Sequence, residues 1–391
     1  MAEDIFFFIK EYFRKTDKLL WILVLIASMT GCFLIASQQR FDTVDFLKTQ
    51  IIAVIIGVVC AFAVSLIDYE TIAKFWYVIG GIGLLLTILV FFIGIQINGT
   101  DDTGWIRLPW GMTFQPSELT KICFILTFSK HLAYLSEKDN LHSFWGVLTL
   151  LVHAAVPVVM IHLQGDDGAA LVFALMFIVM TFAAGVQIRY FIIALAGIAV
   201  SLPFVWTSVL NSEQKNRLTA LFTSDESMFR TYGWQQYQGK ISIASGGIFG
   251  KGLFNGPRVA RDIVPYQEND FIFTVAGEEL GFIGCCAILI LFFMILFRLL
   301  KNSALSEDAL GKNICTGFFA LIGVHVLINL GMVLGILPVV GITLPFFSSG
   351  GTSAVCSYLG VGLVQSVYMH PKTHRSFRLK PENAKNNRIF V

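Results

Sequence analysis

Apolar residues along this chain come in long unbroken runs, not in the alternation of half-buried strands or the narrow stripes of soluble amphipathic helices. A helix crossing about 30 Å of hydrocarbon needs roughly 20 mostly apolar residues. Ten stretches meet or approach that length, at 19–37, 50–67, 76–97, 117–135, 144–163, 168–185, 190–210, 271–299, 313–336 and 350–369. The pattern predicts an all-α polytopic membrane protein with ten transmembrane helices. An even number of crossings puts both ends on one side, and basic residues choose the cytoplasmic side. Residues 1–18 carry Lys10, Arg14, Lys15 and Lys18, and the tail at 370–391 carries Lys372, Arg375, Arg378, Lys380, Lys385 and Arg388. Both termini are therefore expected in the cytoplasm, and Lys301 and Lys312 fall on the same side. The loops at 98–116, 164–167, 211–270 and 337–349 then face outward. The longest, 211–270 between the seventh and eighth helices, is rich in Gly, Gln, Ser and aromatic residues. It reads as an ordered extracytoplasmic cap.

Composition agrees: 55% of residues are hydrophobic and 14% charged, far from soluble usage. Lipid is the main solvent, and residues 1–391 read as a single membrane domain. The net charge of +2 and the lack of a basic soluble block exclude nucleic acid as an expected partner. The cysteines Cys32, Cys60, Cys123, Cys285, Cys286, Cys315 and Cys356 all lie inside apolar runs, which argues against a disulfide framework. No CxxC or HExxH spacing supports a thiolate or histidine zinc site. The N-terminal MAEDIFFFIKEYFRKTDK lacks a cleavage pattern and is expected to lie at the membrane interface.

Ionisable groups are costly in lipid, so those at the ends of apolar runs are candidates for function. Four clusters stand out. Trp105, Arg107, Gln115, Ser117, Glu118 and Lys121 lead into the fourth helix. Pro116 suits its first turn, and Glu118 and Lys121, three apart, can pair on one face; a structural ion pair and a substrate-holding role both fit. Gln164–Gly168 sets Asp166 and Asp167 in a tight outer turn, where they fit either a divalent cation or a helix cap. Asp270 is the last polar residue before a long run, partly desolvated, suited to general-base work or to an N-cap. Glu278 and Glu279 lie two turns deeper and are expected to pair with Lys or Arg. Residues 341–353, with glycines, Pro345 and several hydroxyls including Ser348, read as a close-packed, partly re-entrant loop.

In order and spacing these clusters resemble the SEDS family of membrane glycosyltransferases over almost the whole chain. WIRL…FQPSELTK at 105–121 is similar to the family's RWI…QPSE..K, and QGDDGAAL at 164–171 to QPDLGTAL. GWQQYQGKISIASGGIFGKG at 233–252 is similar to GYQ..QS.IAIGSGG..GKG, ENDFIFTVAGEELGFIG at 268–284 to TDFIFAVIGEELGFIG, and GITLPFFSSGGTS at 341–353 to G..LPF.SYGGSS. Departures fall at Gly104, where the family has Arg, and at Gly165 and Asp167, leaving Asp166 as the matched acid. Others are Gly239, Ser242, Ala244, Asn269 and Ser349; none touches Asp270. Compact tails lean toward the RodA type.

The resemblance implies polymerisation of lipid II: a disaccharide 4-hydroxyl attacks the anomeric carbon of a carrier-linked glycan strand and undecaprenyl pyrophosphate leaves. It places the essential aspartate at Asp270, as base or as ligand of a divalent cation, Mg²⁺ or Mn²⁺. Substrate contacts are expected from Trp105, Arg107, Gln115, Ser117, Glu118, Lys121, Asp166, Gln235, Gln238, Ser245, Lys251, Glu279 and Ser348. Lys121, Arg107, Lys240, Lys251 and Arg258 are the candidate cations for the pyrophosphate. Expected partners are lipid II, the lipid-linked glycan strand, membrane lipids and a class B penicillin-binding transpeptidase. The alternative function is a lipid II flippase, which needs a path open to both faces.

Overall fold

The computed structural model describes residues 2–39, 45–96, 102–109, 113–222 and 229–371. The basic tail from 372 onward, and parts of the two longest predicted outer loops, lie outside the described residues. The helices are α1 (Ala2–Lys15), α2 (Lys18–Gln38), α3 (Phe46–Ser65), α4 (Tyr69–Lys74), α5 (Trp76–Ile93), α6 (Pro116–Glu137), α7 (Phe144–Leu163) and α8 (Asp167–Ala183). They continue with α9 (Ile188–Phe204), α10 (Ser212–Thr219), α11 (Trp234–Ser245), α12 (Ile272–Leu305), α13 (Ala309–Val333) and α14 (Gly351–Met369). A two-residue antiparallel pair, β1 (Ile106–Arg107) with β2 (Thr113–Phe114), precedes α6.

Each of the ten apolar stretches is occupied by a helix. Among the described residues seven are long and apolar enough to cross a membrane: α2, α3, α5, α7, α9 with its π-helical extension, α12 and α13. α8 is apolar but shorter, and α6 and α14 carry more polar side chains. Most residues of α6 and α14 are buried against other helices, so protein takes the place of lipid around them. Packing uses small residues, as expected where lipid supplies no hydrophobic drive. A Cβ on Gly57 of α3 would lie 2.8 Å from the Tyr358 ring of α14, and one on Gly362 would lie 2.7 Å from the Ala61 carbonyl oxygen.

The two ends of the bundle differ in their polar chemistry. At one end the buried Asp17 carboxylate caps α2 through the Leu20 N–H (3.1 Å) and takes Arg298 Nε (2.6 Å) and Asn302 Nδ2 (2.8 Å) from α12. Gln365 of α14 holds the Asp17 backbone at both N–H and C=O, each 2.9 Å. Every oxygen of that carboxylate is satisfied by the protein itself.

The stretch 272–305 is not one straight rod. Gly281 breaks it with φ 68° and ψ −167°, a conformation open to glycine. The segment after α11 closes over the break: Lys251 and Gly252 N–H donate to the Glu278 and Glu279 carbonyls, each 3.0 Å. Phe282 and Ile283 N–H donate back to the Gly247 and Ile248 carbonyls at 2.9 and 3.1 Å. The 211–270 insertion therefore contains α10 and α11, and its glycine-rich part packs against the start of α12. Gln236 of α11 ties it to α13 and beyond, donating to the Met332 and Leu337 carbonyls at 2.8 and 2.7 Å.

Candidate functional site

Asp270 stands just before α12, yet it does not cap it: the N-cap is Phe271, with no side-chain cap bond. The Asp270 carboxylate is partly buried and receives no hydrogen bond or ion pair from the described residues. What is held is its backbone. Asn329 of α13 donates from Nδ2 to the Asp270 carbonyl and to the Ile342 carbonyl, both 2.7 Å. Ser348 Oγ donates to the Asn269 carbonyl (2.7 Å) and accepts from the Leu344 N–H (2.8 Å), while the Ser349 N–H donates to the Glu268 carbonyl (2.8 Å). The loop before α14 thus clasps 268–270 from below. Gly341, at φ 67°, lies so close that a Cβ there would be 3.5 Å from Asp270 Oδ2. Burial pushes the Asp270 carboxyl up to about 7, with Glu268 and Asp102 adding in the same direction.

Asp166 is the N-cap of α8, accepting from the Ala169 N–H at 2.9 Å, so the capping reading holds for one oxygen. Its other oxygen, Oδ2, faces Gln115 Nε2 at 3.0 Å and Ser117 Oγ at 3.5 Å. Burial raises the Asp166 carboxyl to about 6 against the Ala169 bond; Asp102 raises it further and Lys121 opposes. Asp102 thus acts on both Asp166 and Asp270, and its Oδ1 is buried without a partner among the described residues. The Asp166 turn also abuts the loop beside Asp270, since a Cβ on Gly168 would lie 2.3 Å from the Val340 carbonyl. Asp167 turns elsewhere, to His162 Nδ1 at 2.5 Å and to Gln214 of α10.

Beneath these carboxylates Lys121, 1% exposed, donates to Glu118 Oε1 at 2.8 Å and to His325 Nε2 at 3.0 Å. The ion pair expected from the spacing is present. Its continuation to His325 Nδ1 and the Thr343 carbonyl, 3.2 Å apart, crosses three elements.

A second polar group gathers at the Gly281 break, some two turns along α12 from Asp270. Glu278 is fully buried, taking Lys251 Nζ (3.1 Å) and the Arg258 and Val259 N–H groups (3.0 Å each). Glu279 takes Ser37 Oγ (2.6 Å) and the Gly256 N–H (3.3 Å); the expected cation partner is found for Glu278, while Glu279 uses neutral donors. Lys251 also reaches Ser245 Oγ (3.0 Å), and Arg258 reaches Ser242 Oγ (2.9 Å) and Gln238 Oε1 (2.5 Å). Gln238, Ser245, Lys251 and Glu279 are thus engaged around the break: Lys251 with Ser245 and Glu278, Gln238 with Arg258, and Glu279 with Ser37 and backbone. Gln235 Nε2 donates to the Pro265 carbonyl (2.8 Å). Trp105 joins the strand region, its carbonyl accepting from the Ile95 N–H at 2.7 Å. Arg107 is exposed on β1.

The sequence reading missed Asp102, His325 and Asn329. Asp102 sits in a polar loop with no motif around it, and the other two are single polar residues in an apolar helix. An intramembrane ionisable or amide group was itself the available signal. Among the described residues no group of three or more His, Cys, Asp or Glu side chains is placed to hold a metal ion. All seven cysteines are free.

Residues 14–373 match the family of cell cycle proteins comprising FtsW, RodA and SpoVE. The chain belongs to that family. Among relatives of this FtsW/RodA/SpoVE protein, the probable peptidoglycan glycosyltransferase FtsW of Trichlorobacter lovleyi is 31% identical over 368 residues, 92% of this chain and 95% of the relative. The peptidoglycan glycosyltransferase MrdB of Escherichia coli K12 is 28% identical over 357 residues, 90% and 93% of the two chains. Two solved structures share the fold. One, from a peptidoglycan synthase complex that coordinates polymerization and crosslinking, superposes with a TM-score of 0.75 at 27% identity, covering 90% of this chain and 97% of that one. The rod shape determining protein RodA of Thermus thermophilus gives 0.67 at 26% identity, covering 90% and 96%. Similarity extends to both FtsW-named and RodA-type proteins, so it fixes the family without dividing the chain between types. With its apolar helices, this FtsW/RodA/SpoVE member is a multi-pass bacterial membrane protein.

Proposed function

We propose that this chain is a peptidoglycan glycan-strand polymerase of the bacterial inner membrane, joining lipid II units with release of undecaprenyl pyrophosphate. The observation that carries this reading is the Asp270 carboxylate, partly buried, fixed through its backbone and without a partner among the described residues. Such a group is held for a ligand, and a carboxyl lifted to about 7 is matched to taking a proton from a hydroxyl near neutral pH. In the reaction the acceptor 4-hydroxyl oxygen forms a bond to the donor anomeric carbon as the bond from that carbon to the pyrophosphate oxygen breaks. The hydroxyl proton passes to Asp270, and the bonding pair leaves with the pyrophosphate. Gln115 and Ser117, pinned on Asp166, offer hydrogen-bonding groups beside this point.

The pyrophosphate needs positive charge. Of the five candidate cations Lys121, Lys251 and Arg258 are already engaged, which leaves the exposed Arg107 and Lys240. The unpartnered oxygens of Asp270 and Asp102 are hard donors suited to Mg²⁺ or Mn²⁺. Too few protein ligands converge there for a closed cage, the situation in which such ions bind through one or two carboxylates plus substrate phosphates. As the alternative to its role as base, Asp270 would hold the ion, which would keep the carboxylate ionised and supply charge neutralisation for the leaving group.

In this reading the chain crosses ten times as a single domain, both termini are cytoplasmic, and Asp270 opens to the extracytoplasmic side. A penicillin-binding transpeptidase of class B is the partner, supported by the likeness to a chain of a peptidoglycan synthase complex. The test is reconstitution in vesicles with lipid II and a divalent cation. Glycan polymer is expected, with no transfer of lipid II between leaflets. Transfer without polymer would replace the enzyme by a flippase.

A further inference from the structure

We propose that His325 is a positioning residue for this reaction: its neutral imidazole ties the buried Lys121 ammonium to the loop that seats Asp270. The proposal rests on the polymerase reading above.

The tautomer follows from the partners. An ammonium has donors only, so the contact of Lys121 Nζ with His325 Nε2 at 3.0 Å needs a lone pair on Nε2. The ring hydrogen then sits on Nδ1, where the Thr343 carbonyl accepts it at 3.2 Å. Glu118 balances the lysine charge at 2.8 Å, so the ring bridges a neutralised ion pair to backbone. His325 and Lys121 are 3% and 1% exposed, and a donor or acceptor left single at such buried positions costs its desolvation.

His325 and Asn329 are four residues apart on one face of α13. They bind consecutive carbonyls of the same loop, His325 at Thr343 and Asn329 at Ile342, and Asn329 extends to the Asp270 carbonyl. Gly341, next along the loop, lies close enough that a Cβ there would be 3.5 Å from Asp270 Oδ2. A shift of the loop at Thr343 therefore moves the floor under Asp270. Placement of the base governs the chemical step more than substrate affinity, and a displacement of about 1 Å can cost about a hundredfold.

The experiment compares full-length His325→Leu and His325→Gln with the parent protein, measuring lipid II polymerisation kinetics and melting in detergent. Glutamine can reproduce both bonds, Oε1 accepting from Lys121 and Nε2 donating to Thr343; leucine reproduces neither. The expected result is a kcat for His325→Leu lowered by about ten- to a hundredfold with KM little changed, and recovery toward the parent value in His325→Gln. Parental kcat in His325→Leu, an equally slow His325→Gln, or a change confined to KM would overturn the assignment. A second readout needs no turnover. In ¹⁵N-histidine-labelled parent protein, the His325 ring, assigned by its loss in His325→Gln, should show the Nδ1–H tautomer. An Nε2–H ring or an imidazolium would overturn the bridge even if the parent makes no polymer, an outcome that would instead sink the functional reading.

Discussion

A carboxylic acid works as a base only while deprotonated. With the Asp270 carboxyl lifted by burial to about 7, the polymerisation rate should climb as pH rises through about 7 and level off above it. A rate independent of pH from 6 to 8, measured with stopped-time product gels, would remove Asp270 from that role. Asp166 offers a separate test, because capping and charge can be split. Asp166→Ala should lower stability by about 1 kcal/mol, whereas Asp166→Asn keeps a capping oxygen and should melt near the parent. These two aspartates and the Glu118–Lys121 pair were legible in the sequence, since each stands at the end of an apolar run or at helix spacing. His325 was not: its partner Lys121 is 204 positions away, and periodicity within one helix carries no information about which helix faces it. The same holds for Asn329 and Asp102, whose meaning comes from neighbours brought in by other elements.

At the level of elements, the ten apolar stretches could be read directly because lipid demands length and apolarity in each crossing. The break at Gly281 could not, since GEELGFIG holds no proline and its acidic pair, Glu278 and Glu279, signals buried charge without marking where the helix bends. Only the structure shows why glycine stands there: a Cβ would meet the Gly250 nitrogen at 2.2 Å. Gly281→Ala should therefore unseat the 246–252 segment and lower both the melting temperature and activity, with the drop in activity traced by polymer yield per folded molecule. A parental melt and yield would show the contact to be dispensable. At the opposite end, Asp17→Ala leaves Arg298 without its partner and α2 without its cap. Truncating one side of a buried pair costs roughly 3–5 kcal/mol, so a large loss of thermal stability is expected; a melt unchanged from the parent would contradict the packing described for Asp17.

Across the whole molecule, polar chemistry is unequally distributed. Among the carboxylates, Asp17 at one end has both oxygens satisfied, while Asp270 and Asp102 at the other keep oxygens no described residue fills. That asymmetry suits a reaction at one membrane face. It predicts that a cysteine placed at Tyr266, in a cysteine-free background, reacts with a membrane-impermeant reagent added from outside the cell; labelling only after lysis would invert the orientation. It predicts too that chelating divalent cations stops polymer formation and that Mg²⁺ or Mn²⁺ restores it. The most direct measurement gives purified parent and Asp270→Asn proteins the same lipid II and the same divalent cation. Long glycan strands from the parent and none from the variant, with both proteins melting alike, are the predicted result; strands of equal length and yield from both would contradict the account.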